Sequence, residues 1–336
     1  KPPLHLRGGY LAIASPEDPV EACFSVPAVR ALRHGRPNAS IAVTTPESLA
    51  PIWNRVRGIN HVVAYPDRRN ARTIASLLRE TESEEYESSI AWDASKASQA
   101  FANLRIQQRF GYRLPRLVPH LNEPLDFTVP LGPVQHRVRS YLLLTTQLGI
   151  DSFQPVSFRT GPLPPAPDRP RIALAPGSEF GAAYQWPHDS FAAAATRLQD
   201  QHQAELIVLA RPKYEQAANK LATTLGARAD NHAGILALEE LLTALASCSV
   251  LLASDGVLPH LASFLGLPGV IAFGPGDPDA RRPLGRIHTI LNRHPECGPC
   301  GCAKCPLDHR CLREITSADA CAAVSATLEN PGTRQP

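Results

Sequence analysis

The sequence predicts an α/β protein built of two doubly wound halves. Three observations predict it: short, continuous apolar runs recur in both halves, helix-like stretches separate them, and a proline-dense segment divides the chain near its middle. With 336 residues the chain is long for one core and comfortable for two. Its 43% hydrophobic and 19% charged content is that of an ordinary globular protein, and a net charge of +3 demands no nucleic-acid partner. Methionine is absent, and eight cysteines are present. No apolar run approaches the roughly 20 residues needed to cross a bilayer, and the N-terminus shows no signal-like apolar core, so a cytoplasmic location is expected.

In the first half, residues 10–15 (YLAIAS), 40–45 (SIAVTT), 61–65 (HVVAY) and 88–93 (SSIAWD) read as strands. Helices are expected at 22–34 and 72–80, with a long one near 136–148. Residues 151–170 hold Pro155, Pro162, Pro164, Pro165, Pro167 and Pro170, a density that neither a helix nor a central strand tolerates. This segment is expected to be an extended interdomain linker. The second half repeats the pattern, with strands at 171–176 (RIALAP), 205–210 (ELIVLA), 250–254 (VLLAS) and 270–274 (VIAFG), and helices near 190–202, 214–225 and 238–247. The expected domains are therefore 1–150, a linker at 151–170, a second domain at 171–316 ending in a cysteine-rich tail, and a C-terminal helix and tail at 317–336. Two such domains leave a central cleft, and ligands of open α/β sheets bind beyond the carboxyl ends of the strands. The strand exits are thus the segments to search.

The exit after the first strand of the second half reads APGSEFGAAYQWP over 175–187. Gly177, Gly181 and the Ser178 hydroxyl, followed by a helix, are ingredients of a phosphate cradle; a plain surface loop, with Trp186 and Pro187 stapling the helix, is an equal reading. The second segment is ASDGVLPH over 253–260. Asp255 is expected to cap the following helix, leaving the amides of Gly256, Val257 and Leu258 turned toward a diphosphate, with Pro259 in the first turn. His260 is either a phosphate or sugar contact or a core histidine. A third exit, FGPGDP over 273–278, is a turn that passes the same place. No Gly-x-Gly-x-x-Gly follows residues 10–15, which disfavours a dinucleotide enzyme.

These segments together resemble glycosyltransferase family 9, the ADP-heptose:lipopolysaccharide heptosyltransferases of GT-B fold, two Rossmann-like domains facing a cleft. The residues that carry the likeness are P-G-x-x-x-G-x-x-x-x-W-P from Pro176, D-x-x-x-x-H-L-A-x-x-L-G from Asp255, and F-G-P-x-D-P from Phe273. VPAVRALR at 26–33 is similar to the family's first helix, RFGY at 109–112 to a strand of its first domain, and 141–149 to that domain's closing helix. The cysteine run from Cys297 to Cys311 is similar to a tail found in many members.

The resemblance implies an inverting sugar transfer without a catalytic cofactor, from a nucleotide diphosphate sugar such as ADP-heptose to a lipid-linked glycan at the inner face of the inner membrane. It implies a general base six residues before Pro27, which is Glu21 here, with Asp18 as the alternative and a helix cap as the bland reading of Glu21. Donor binding falls to Ser178, Glu179, Tyr184, Asp255, Gly256, Val257 and His260. Lys96 and Arg113 are candidates for an anionic acceptor, or else solvated surface charges. Several positions depart from the family pattern. Tyr184 and Gln185 stand where a lysine and an arginine precede Trp-Pro. Asp255, Gly256 and Val257 replace Asp-Thr/Ser-Gly, and Gly234, Ile235 and Leu236 lack the usual hydroxyl. Each loss costs on the order of 1–3 kcal/mol of charge-assisted hydrogen bonding. Two readings therefore stay open, an active transferase and a weakened paralogue that binds without turnover.

Cys297, Cys300, Cys305 and Cys311, with Cys302 or His309 as substitutes, admit a structural zinc site. An iron–sulfur cluster would use the same thiolates, and a reduced or partly disulfide-bonded cap is the third alternative.

Overall fold

A computed structural model describes residues 6, 8–81, 85–127 and 133–330. The chain divides into two compact units, 1–159 and 160–336. The first contains β1 (Tyr10–Ala14), α1 (Pro19–Gly35), β2 (Ser40–Pro46), α2 (Ala50–Trp53), β3 (His61–Tyr65), α3 (Ala71–Thr81), β4 (Ser88–Ala91), α4 (Lys96–Asn103), β5 (Gln108–Tyr112), β6 (Glu123–Leu125) and α5 (Val138–Gln147). The second contains β7 (Arg171–Ala175), α6 (His188–His202), β8 (Glu205–Val208), α7 (Gln216–Leu225), β9 (Ala229–Asn231), α8 (Leu238–Ala246), β10 (Val250–Ser254), α9 (Val257–Leu265), β11 (Gly269–Ala272), α10 (Pro278–Arg281), β12 (His288–Leu291), α11 (Arg310–Arg313) and α12 (Ser317–Glu329).

Each unit is a six-stranded, wholly parallel sheet, in the order β3-β2-β1-β4-β5-β6 and β9-β8-β7-β10-β11-β12. The two orders are the same doubly wound topology, and in each the chain reverses its direction of travel across the sheet between the first and fourth strands. Continuous apolar runs make this possible, because a strand covered by helices on both faces must be apolar on both. β10 is buried at all five positions.

Helix ends follow local chemistry. Asp18 caps α1, its Oδ1 accepting from the amides of Val20 (2.9 Å) and Glu21 (3.0 Å), and Pro19 occupies the first turn, where its missing N–H costs nothing. Thr316 and Asp319 close a capping box on α12. α9 is apolar nearly all round, with eight of its nine residues buried, so it is a core helix rather than an amphipathic one.

Short edge strands escaped the sequence reading. β6 and β9 are three residues each and carry charge or proline, which apolar-run counting passes over. The start of the proline-rich segment folds rather than extending freely: a 3₁₀ turn at Pro155–Phe158 packs on α1 within the first unit. Of the expected C-terminal tail, residues 331–336 lie outside the described residues.

Candidate active site

At the β1/β4 crossing of the first unit, three carboxylates gather. Glu21, in the first turn of α1, accepts from the Arg137 guanidinium (Nε–Oε2, 2.8 Å) and from the Tyr141 hydroxyl (2.5 Å). Burial, and then the charge of Glu21, push the Tyr141 phenol well above its ordinary value, so it stays protonated and donates. The other two are Glu17, after β1, and Asp93, after β4. Glu17 Oε1 accepts from the Tyr65 hydroxyl (3.1 Å) and the Lys96 amide (2.9 Å). Asp93 is raised to about 6, chiefly by burial and then by the charge of Glu17, and its Oδ1 is buried without a hydrogen-bond partner. Glu17, Asp93 and Ser95 line a cavity of about 510 Å³ whose other wall is Leu114, Pro115, Arg116 and Leu117.

Asp18 is committed to its cap, and the neighbouring Glu21 is not the cap that its bland reading supposed. Lys96 opens α4 and gives its Nζ to the carbonyl of Asp67 (2.6 Å). Arg113 follows β5 and pairs with Asp126 (3.0 Å), with both side chains more than half exposed.

At the β7/β10 crossing of the second unit, three loops converge. Ser254 at the end of β10 ties them, its hydroxyl donating to the Pro176 carbonyl (2.8 Å) and accepting from the Trp186 amide (3.0 Å). The Ser178 hydroxyl accepts from the amide of Phe180 (3.1 Å), and the Tyr184 ring meets Phe180 edge-on at 5.5 Å. The backbone of Gly276 passes so close that a Cβ there would stand 2.5 Å from Asp255 Oδ2 and 3.3 Å from the Tyr184 ring.

One expectation is corrected here. Asp255 does not cap α9: the N-cap is Gly256, without a side-chain hydrogen bond. Asp255 is instead 4% exposed, and burial is the main reason that its carboxyl rises to about 7. The amide of Val257, at the helix N-terminus, is taken by Glu179 Oε2 (2.9 Å). Gly256 is small because that carboxylate is close: a Cβ would stand 3.0 Å from Glu179 Oε2. Glu179 in turn faces Arg211 at 3.7 Å. His260 is 2% exposed, within α9.

The expected zinc site is also corrected. Cys297, Cys300, Cys302, Cys305 and Cys311 surround a cavity of only about 20 Å³ with His309, but among the described residues no group of three or more His, Cys, Asp or Glu side chains could hold a metal ion. All eight cysteines are free thiols, so the disulfide-bonded cap is not formed either. What the loop does is brace. The Ala303 carbonyl accepts from the Ala183 amide (3.1 Å), and the Gly301 amide donates to the Pro275 carbonyl (2.8 Å), tying the loop to two of the converging strand exits. Gly181, at φ 124°, leaves no room for a Cβ, which would stand 2.5 Å from the Ala303 oxygen.

The chain is similar to known proteins. The profile of glycosyltransferase family 9 (heptosyltransferase) covers residues 75–310. The chain belongs to this family. It is a glycosyltransferase of heptosyltransferase type, on an α/β fold of GT-B kind. Lipopolysaccharide heptosyltransferase 2 of Salmonella typhimurium is 27% identical over 289 residues, covering 78% of this chain and 82% of the relative. The Escherichia coli K12 protein of the same name is 26% identical over 292 residues, with the same coverage. Among solved structures, E. coli ADP-heptose lipopolysaccharide heptosyltransferase II superposes with a TM-score of 0.78 at 22% identity, over 96% of this chain and 99% of that one. A family 9 transferase from Veillonella parvula gives 0.81 at 14% identity, over 98% and 99%.

The sequence reading missed Glu17 and Asp93. Asp93 was legible, as the polar residue ending an apolar strand run. Glu17 carries no signal beyond lying a few residues past a strand.

Proposed function

We propose that this transferase moves a heptose from ADP-heptose to a sugar hydroxyl of a lipopolysaccharide-core acceptor, with inversion at the anomeric carbon. The observation that carries the reading is the placement of Glu21. It is a carboxylate at the sheet crossing of the first unit, held by a phenol and a guanidinium in one orientation. A general base must present its oxygen in a fixed direction to take a proton from an acceptor hydroxyl as that oxygen attacks. ADP then leaves from the second unit's crossing, where the Ser178 loop, the start of α9 and the Gly276 turn would receive the phosphates. The lipid-linked acceptor puts the enzyme at the inner face of the inner membrane; among the described residues no helix is long and apolar enough to cross one. Domain roles follow, with acceptor binding in the first unit and donor binding in the second.

Tyr184 and Gln185, together with Glu179 at the start of α9, favour a second reading, a protein that binds nucleotide or glycan without efficient turnover. The deciding assay incubates the chain with radiolabelled ADP-heptose and heptose-deficient lipopolysaccharide. Label in the lipopolysaccharide with equimolar ADP release is expected, and NMR of the product gives the anomeric configuration. ADP binding with no label transferred to any core acceptor establishes the second reading instead.

A further inference from the structure

The first crossing holds a cavity of about 510 Å³, within the size range of small-molecule sites. It lies past the carboxyl ends of the paired strands β1 and β4, where an open parallel sheet takes its ligands. Glu17 and Asp93 line one side, and Leu114, Pro115 and Arg116, from the β5 exit, line the other. Glu21 is near enough for its charge to act on Asp93, so the cavity and the general base belong to one neighbourhood.

The two carboxyls are held differently. Glu17 is exposed, and Oε1 is fixed by the Tyr65 hydroxyl (3.1 Å) and the Lys96 amide (2.9 Å). Asp93 keeps Oδ1 buried without a hydrogen-bond partner, an arrangement that costs stability in a folded chain. Burial, and then the charge of Glu17, raise this carboxyl to about 6, so near that pH it both donates and accepts. An orphaned polar atom in a cavity wall marks a place where a bound group completes the hydrogen bonding.

The lining also selects the kind of group. An anion would face the two carboxyls, and an ammonium ion would share the space with the Arg116 guanidinium. An uncharged sugar meets neither penalty. Its hydroxyls suit the carboxyl side, and its C–H face suits Leu114 and Pro115, which are exposed.

We propose that this cavity is the acceptor-sugar subsite, where Glu17 and Asp93 bind the hydroxyls of an uncharged sugar ring and Leu114 and Pro115 cover its C–H face. This rests on the reading that the chain transfers a sugar to a glycan hydroxyl. Glu17 and Asp93 then determine which acceptor is held, while Glu21 takes the proton.

Steady-state transfer to heptose-deficient lipopolysaccharide, with calorimetric titration of ADP, tests this on the full chain. Ala94→Phe puts a ring into the cavity without changing a charge, because Ala94 is part of its lining. The acceptor KM should rise about 10-fold or more, with ADP affinity unchanged. Glu17→Gln and Asp93→Asn keep the side-chain shapes and should each raise that KM about 10-fold, the range of a lost hydrogen bond to a charged group, with kcat within about threefold of the parent. Glu123→Gln, on the edge strand β6, should match the parent. Should the added ring unfold the chain, the two isosteric variants decide. An unchanged acceptor KM in Glu17→Gln and Asp93→Asn overturns the proposal, while transfer by the parent keeps the reading beneath it. Inhibition relieved by raising acceptor, produced by ethanolamine and not by a methyl heptoside, also overturns it, because the cavity would then hold an ammonium ion. A parent that transfers no sugar to any core acceptor overturns both.

Discussion

The two units share one topology and put different chemistry at the same topological point. At the β1/β4 crossing the side chains are carboxylates, Glu17, Glu21 and Asp93, each facing donors: a phenol, a guanidinium, backbone amides or a serine. At the β7/β10 crossing the chain closes three glycine-bearing loops over a nearly buried Asp255, braced from outside by the Cys-rich loop. The sheet decides where a ligand can approach, and the few residues after each strand decide what it meets. A site that removes a proton needs fixed carboxylates. On the proposed reading, a site that receives a leaving diphosphate needs close approach of backbone, and glycines gather there.

The largest effect that would sharpen this contrast is expected at Glu21. Glu21→Gln keeps the shape but cannot accept a proton, and kcat should fall by about 10²–10⁴ with ADP affinity unchanged. Turnover retained in Glu21→Gln but lost in Asp93→Asn would move the base to Asp93 and leave Glu21 as a tether for Tyr141 and Arg137.

The crossings also share a feature, one buried carboxyl raised above its ordinary value, and pH separates them. Each folded-state value lies above 3.8, at about 6 for Asp93 and about 7 for Asp255. The folded chain therefore holds a proton that the unfolded chain has released, and stability falls as pH rises from about 4 through those values. Asparagine does not ionise. Asp255→Asn should thus gain on the parent up to pH 8 by at most about 4 kcal/mol, and Asp93→Asn by at most about 3, with no gain near pH 3. Urea unfolding across pH measures both. Gains that do not grow with pH would mean that neither carboxyl is strained by burial.

Much of this contrast was legible before any coordinates. The parallel strands announce themselves as apolar runs, because burial on both faces leaves no room for alternation, and the strand exits follow at once. Ser178 and Asp255 lie on those exits, whereas Glu21, in the first turn of α1, is singled out only by the family resemblance. What could not be read is which partner each takes. Asp255 looked like a cap because it precedes a helix, yet it caps nothing, and the Val257 amide, expected to turn toward a diphosphate, is taken by Glu179, 78 residues earlier in the chain. The thiols looked like metal ligands because spacing in sequence resembles a ligand set, yet among the described residues no group of three or more His, Cys, Asp or Glu side chains is placed to hold an ion. Arg281, at the end of α10, reaches Phe180, about a hundred residues earlier in the chain, a pairing that only the packed sheet creates.

The smallest effect expected tests the acceptor side at its weakest point. Arg113 follows β5, one strand beyond the β4 exit, and its pair with Asp126 is exposed on both partners. Such a pair contributes about 0–1 kcal/mol, since water and salt screen it and two long side chains lose freedom to form it. Arg113→Ala should therefore leave the melting temperature within about a degree of the parent. If the acceptor's anionic groups pass over this edge of the first sheet, the acceptor KM should rise about threefold or more at low salt and converge on the parent at high salt, with kcat held. An unchanged KM at low salt would take the acceptor off this edge and leave the carboxylate-lined cavity of Glu17 and Asp93 as the surface it meets. The acidic crossing would then select sugar hydroxyls rather than charge.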